Sequence, residues 1–152
     1  MDGVRVQTDL DPADEPAKFA SEVKGASDAE LEQLMRGDRR PVVVDGIFRT
    51  MPDVFRADRA GSLQAIVHWR ISGRTDGGED VYEMQIADGQ CSVSAVVQRQ
   101  PTLTVRLDGV NFLKMATGNA NARMLFLRGR LKARGDLALT NRLPSLFNVP
   151  PP

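Results

Sequence analysis

Few residues in this 152-residue chain are of types that do chemistry, and they are scattered. His68 is the only histidine and Cys91 the only cysteine. Both fall in runs that alternate apolar with polar residues: His68 at a polar position, where it is expected to be exposed and uninvolved, and Cys91 at an apolar one, as a small core residue. A histidine on a polar face cannot activate a nucleophile in a pocket under the apolar face. One histidine and one cysteine far apart make no metal-ligand cluster either, so neither metal nor cofactor is expected. Asp45 stands in an otherwise apolar helical run. It can be desolvated, with a raised pKa and a proton to transfer, or it can simply face solvent. Asp76, Gly77, Gly78 and Glu79 precede a strand rather than a helix, so they form a hairpin loop and not a phosphate cradle. Arg128, Arg130, Lys132 and Arg134 alternate without interleaved aromatic residues, the pattern of the wet side of a sheet edge rather than of a nucleic-acid stripe.

The elements that position these groups follow from periodicity. After a loose leader over 1–15, a short helix is expected over 16–24 and a second behind the capping box of Ser27 and Glu30. A third is expected from Asp38, with Pro41 in its first turn and Val43, Val44, Ile47, Phe48 and Met51 down one face until Pro52 breaks it. From Ser62 the period drops to two. Leu63, Ala65, Val67, Trp69 and Ile71 share one face; Tyr82, Met84 and Ile86 follow, then the turn pair Asp88 and Gly89. Cys91, Val93, Ala95 and Val97 form a third strand, and Leu103, Val105 and Leu107 a fourth. Asp108 and Asn121 cap two further helices, Leu131 and Ala133 lie in a fifth strand, and Asp136 opens a last helix reaching Phe147. Strands of this kind make a sheet with one wet face and one buried under helices.

Length and charge bound the rest. The chain suffices for one domain, and its 20 basic and 20 acidic residues cancel, so bulk charge draws it to neither nucleic acid nor an anionic membrane. The amino-terminal segment is polar and acidic, without a secretory signal or a span, and a lone cysteine suits a reducing compartment; a cytoplasmic protein is expected. No recognisable catalytic constellation is present, so a non-enzyme is expected. Conspicuous instead are the apolar side chains facing the sheet: Phe48, Met51, Phe55, Phe112, Met115, Met124, Leu127, Leu143 and Phe147 over Trp69, Met84 and Ile86. They are an ordinary core or the lining of a pocket, which methionines would make adaptable.

The order of elements, with DGIFRTMPDVF at 45–55, LQAIVHWRISG at 63–73, YEMQIADG at 82–89 and GRLKARGDLALTNRLPSLF at 129–147, resembles the sterol carrier protein 2 family over about residues 40–147. The resemblance implies an α+β fold: a five-stranded mixed, mostly antiparallel sheet, helices on one face, and a hydrophobic tunnel between them for sterols, fatty acids or acyl-CoA-type lipids. It divides the chain into a leader and helical extension (1–39), a lipid-binding domain (40–148) and a disordered proline-rich tail (149–152). The twelve apolar residues above are its implied lipid-binding set. Arg123 completes that set, standing where family members often carry a polar residue that meets a ligand head group, and favouring an anionic or carbonyl head. Transient membrane contact, a gate in the helix after Asp136, and a partner enzyme are further expectations. The alternatives are an accessory module or a small enzyme for a hydrophobic intermediate, working through Asp45.

Overall fold

The structure, a computed structural model, describes residues 11–149. Most of the expected leader and the last three prolines lie outside the described residues. Three helices come first, α1 (Pro16–Gly25), α2 (Asp28–Arg36) and α3 (Arg40–Thr50). The capping box of α2 is present in full: Ser27 Oγ accepts from the Glu30 amide at 3.1 Å, and Glu30 Oε1 accepts from the Ser27 amide at 2.8 Å. At α3 the expected Asp38 cap is absent. Arg39 occupies the cap position without a side-chain bond, and the next residue, Arg40, is drawn inward. Its guanidinium donates to Asp80 Oδ2 (2.8 Å) and to the carbonyls of Met35 (3.2 Å), Ile71 (2.8 Å) and Ser72 (3.0 Å). Proline in the first turn, whose missing N–H needs no cap, lets the helix start there.

A 3-10 turn (Met51–Val54) and the short α4 (Ala57–Ala60) lead to the sheet. Its strands are β1 (Ala65–Ser72), β2 (Asp80–Ala87), β3 (Gln90–Ser94), β4 (Leu103–Asp108) and β5 (Leu131–Gly135), in the order β3-β2-β1-β4-β5. Only the β1–β4 pair is parallel. Asp88 and Gly89 both take positive φ (56° and 73°), as a two-residue hairpin turn requires. Gly135 closes β5 at φ 112°, where a Cβ would stand 2.4 Å from the Thr102 carbonyl oxygen, so no larger residue fits.

Helices α5 (Gly109–Ala116), α6 (Ala122–Leu127) and α7 (Leu137–Arg142) follow their expected caps, Asp108, Asn121 and Asp136. The last helix is shorter than expected: Pro144 lacks the N–H for a helical bond, and residues Leu143–Leu146 tighten into a 3-10 turn. One core joins the inner face of the sheet, including Val67, Trp69, Met84, Ile86, Val105 and Leu131, to Phe19, Val23, Leu31 and Met35 of the first two helices.

The outer face departs from expectation. β3 ends at Ser94, so Ala95 and Val97 are not strand residues; the segment 95–101 instead leaves the edge and crosses to β4 on the far side of β1. On the way its Gln98 and Arg99 amides donate to Glu83 Oε1 (3.0 and 2.8 Å), and the Arg99 guanidinium donates to Glu83 Oε2 (3.0 Å). His68 is therefore not exposed. It is buried beside Glu83, with Nε2 3.1 Å from Oε1, and because an ionised carboxylate only accepts, Nε2 carries the proton. The Arg99 amide, ahead of the Gln98 amide, His68 and the Arg99 guanidinium, holds the Glu83 carboxyl down at about 2 against the opposing effect of burial.

That depression sets an acid limit. A carboxylate with a lowered folded pKa contributes its full stability above its unfolded value, here 4.5, and loses it as pH falls towards about 2. Urea midpoints are expected to decline between pH 4.5 and 2, and to decline less in Glu83→Gln; equal declines in the two proteins would remove Glu83 as a cause.

Candidate functional site

The space between helices and sheet is unevenly filled. Over β2, Phe48 stacks on Tyr82 (ring centroids 4.1 Å apart) and on Phe112 (5.1 Å), leaving no room there. Its edge meets Trp69 at 6.2 Å, and beyond Trp69, over β1, β4 and β5, a cavity of about 360 Å³ opens. The buried side chains of Trp69, Val105 and Leu131 contribute one residue from each of these three adjacent strands to its lining. Trp69 and Val105 are partners in the parallel register. Ile47, Thr50, Met51 and Val54 form one wall, and Thr140, Asn141, Leu143, Pro144 and Phe147 another. Met115, Ala116, Gly118, Ala120, Asn121, Ala122, Arg123 and Phe126 complete it, with Val149. Arg123, Phe126, Asn121, Asn141, Pro144 and Val149 are exposed as well as lining, so they form the rim.

The lining is apolar but for two threonines, two asparagines, the Trp69 indole N–H and one charge, Arg123. Among the described residues it contains no carboxylate, histidine, cysteine or lysine. Trp69 Nε1 and Thr140 Oγ1 are both buried without a hydrogen-bond partner among the described residues, an unusual state for buried polar atoms. The wall carrying Phe147 is tied at its end: the Arg56 amide donates to the Leu146 carbonyl (2.6 Å), the Asn148 amide to that of Val54 (2.7 Å), and Phe55 packs on Phe147 with centroids 5.6 Å apart.

Six of the thirteen residues singled out in the sequence line the cavity: Met51, Trp69, Met115, Arg123, Leu143 and Phe147. Phe48, Met84, Ile86 and Phe112 are fully buried in the core on the filled side, and Phe55 supports Phe147 from behind. Met124 and Leu127 point outward, and Leu125 takes the buried position of α6. Hydrophobic patterning does not single out the run 116–122, reading ATGNANA, from which Ala116, Gly118, Ala120, Asn121 and Ala122 line the cavity; its signal is the lack of bulk that leaves the space open. Asp45 lies off the cavity, bound to Arg49 (2.9 Å) and accepting from the Tyr82 hydroxyl (3.1 Å), whose pKa burial pushes up. Cys91 is also away from it, its thiol raised to about 12 by burial.

The model of the SCP-2 sterol transfer family matches residues 47–148. The chain belongs to the SCP-2 sterol transfer family. Its match thus begins within α3 and leaves α1 and α2 outside. The chain is similar to Hydroxysteroid dehydrogenase-like protein 2 of Homo sapiens, 27% identical over 141 residues, which is 91% of this chain and 33% of that protein. The bovine counterpart matches over 26% of its length, so the chain spans about a quarter to a third of these relatives. The fold recurs in apo Sterol Carrier Protein 2 from Yarrowia lipolytica (TM-score 0.56, 16% identity, 69% of this chain and 87% of that one). It also recurs within the sec-alkylsulfatase Pisa1 from Pseudomonas sp. (TM-score 0.59, 15% identity, 72% of this chain and 17% of that one).

Proposed function

We infer that the protein holds the apolar body of a sterol, fatty acid or acyl-CoA-type lipid in the cavity over β1, β4 and β5 and passes it on. The observation that carries this reading is the cavity itself, about 360 Å³ lined by apolar residues with a single charged side chain at its rim. Burying an acyl chain there gains about 0.8 kcal/mol per methylene, nearly what a bilayer offers, so uptake and release are balanced. A ligand oxygen would give Trp69 Nε1 or Thr140 Oγ1 the partner it lacks, and Arg123 suits an anionic or carbonyl head group.

Trp69 is the only tryptophan, so its emission reports on the cavity alone. Titration with oleate or cholesterol is expected to shift that emission, native mass spectrometry to show copurified lipid, and hydrogen exchange over α7 to slow on binding if α7 gates entry. No copurified lipid together with unchanged emission would end this reading. A second reading, an accessory module serving an enzyme on a hydrophobic intermediate, is favoured by relatives in which the matching stretch is a minor part of a longer chain. Stable copurification of an enzyme would select it.

A further inference from the structure

The two helices outside the family match are built into the molecule rather than appended to it. Helices α1 and α2 bury Phe19, Val23, Leu31, Leu34 and Met35 in the common core, and both pack on α5. They grip α5 at its two ends. At its start the Met35 side chain lies against Gly109, and in its last turn Lys114 forms an ion pair with Asp28 of α2. The Lys114 carbonyl accepts from the amides of Asn119 (2.7 Å) and Ala120 (3.0 Å), which folds the next turn back onto α5, and Gly118 takes the positive φ (79°) that this needs. Residues of that turn have alternating surroundings. Ala116, Gly118 and Ala120 line the cavity, whereas Thr117 and Asn119 do not. The Thr117 hydroxyl donates to the Leu113 carbonyl (2.6 Å), and Asn119 Nδ2 donates to Thr117 Oγ1 (2.9 Å) and to the carbonyl of Ala20 in α1 (3.2 Å). Asn119 thereby ties the small-residue wall of the cavity to α1.

We propose that α1 and α2 brace this wall from behind, with Asn119 as the positioning residue that joins them to it, and that the brace sets how broad a ligand the cavity accepts. This rests on the lipid-carrying reading, which gives the cavity a ligand to select. A wall of alanines and glycine beside about 360 Å³ of space has no atoms in front of it to pack on, and a void forfeits the dispersion contacts of its lining. Such a wall relaxes inward unless it is held. Held back, it leaves room for a rigid ring system; slumped inward, it narrows the cavity and still admits a flexible chain. Losing the tie therefore costs a broad ligand more than a slim one. The Asp28 carboxylate is largely exposed, so its pair with Lys114 is the weaker tie, and the Asn119 bond with the buried side chains of α1 carries the brace.

Cholesterol and oleate titrations read by Trp69 emission, together with hydrogen exchange, test this on the full chain. Asn119→Asp keeps the size of the side chain and removes its donor. It is expected to weaken cholesterol binding by about fivefold, the equivalent of one neutral hydrogen bond, and oleate binding by no more than about twofold. Asn119→Ala should do the same. In both ligand-free variants amide exchange over 116–122 should quicken by about fivefold, with β1 and β4 exchanging as in the parent. Val23→Ala loosens α1 without touching the lining, and should shift the ratio of cholesterol to oleate affinity in the same direction. Added to Asn119→Ala it should change that ratio little further, as for two residues acting through one contact. Equal losses for the two ligands, or Asn119 variants with parent exchange over 116–122, overturn the brace. So does a Val23→Ala protein that is less stable than the parent and keeps its ratio. A parent that binds neither ligand, with exchange over 116–122 still dependent on Asn119, keeps the tie between α1 and the wall and overturns the lipid-carrying reading instead.

Discussion

Replacing Arg40 with methionine is expected to destabilise the protein by about 3 kcal/mol, the lower end of what removing one partner of a buried ion pair costs. Arg40 is buried, and its guanidinium joins the end of α2, the end of β1 and the start of β2 through one carboxylate and three carbonyls. Methionine keeps the stem and its packing but strands those acceptors. Asp80 is partly exposed and keeps a longer contact with Arg74 at 3.5 Å, which is why the loss stays near the lower end. Lysine has a single ammonium centre and cannot span the same acceptors, so Arg40→Lys should fall between parent and Arg40→Met. For a domain of this size 3 kcal/mol corresponds to a drop in melting temperature of about 6–12 °C. Thermal and urea unfolding of the three proteins would check this, and an Arg40→Met midpoint equal to the parent's would show that the clamp contributes nothing net.

The clamp also marks the limit of what patterning can express. Capping residues act within three or four positions of themselves, so Ser27 with Glu30, Asp108, Asn121 and Asp136 could be read directly as helix starts. Alternation likewise exposed the strands, and Asp88 with Gly89 exposed the hairpin, because one residue's φ decides that turn. Arg40 lies 40 positions from Asp80, and no local rule connects them. The outer face failed for a related reason. His68 and Glu83 are polar, and polar residues at alternate positions read as wet; yet a strap can cover them when it brings its own donors, as the Gln98 and Arg99 amides do. Residue type reports the need for a partner, and says nothing of whether water or backbone supplies it.

The cavity was legible only in part, and the error has a direction. Large apolar residues signal a core and a lining alike, because size also closes space: Phe48, stacked on Tyr82 and on Phe112, fills the β2 side. What keeps the β5 side open is the run 116–122, with three alanines and a glycine among its seven residues, and these carry no hydrophobic signal strong enough to notice. A core and a pocket share the same hydrophobic residues, and differ in the volume that neighbouring small residues fail to occupy.

That difference makes the strongest functional prediction. Ala116, the last residue of α5, lines the cavity, and Ala116→Trp should plug it from within. An indole group there displaces roughly four methylenes of a bound chain, about 3 kcal/mol at ~0.8 kcal/mol each, or a loss of affinity of roughly a hundredfold. Because the new side chain enters existing space, overpacking should be small and the melting temperature should move by only a few degrees, on the order of one kcal/mol. A second tryptophan would confuse the emission of Trp69, so binding is best followed with radiolabelled palmitate, with native mass spectrometry to count copurified lipid. Ala116→Ser, which leaves the volume open, should bind within about threefold of the parent, since it adds one hydroxyl at the cost of under one kcal/mol. If Ala116→Trp folds and still binds palmitate like the parent, the ligand does not occupy this cavity, and a lipid carried by the protein must lie elsewhere.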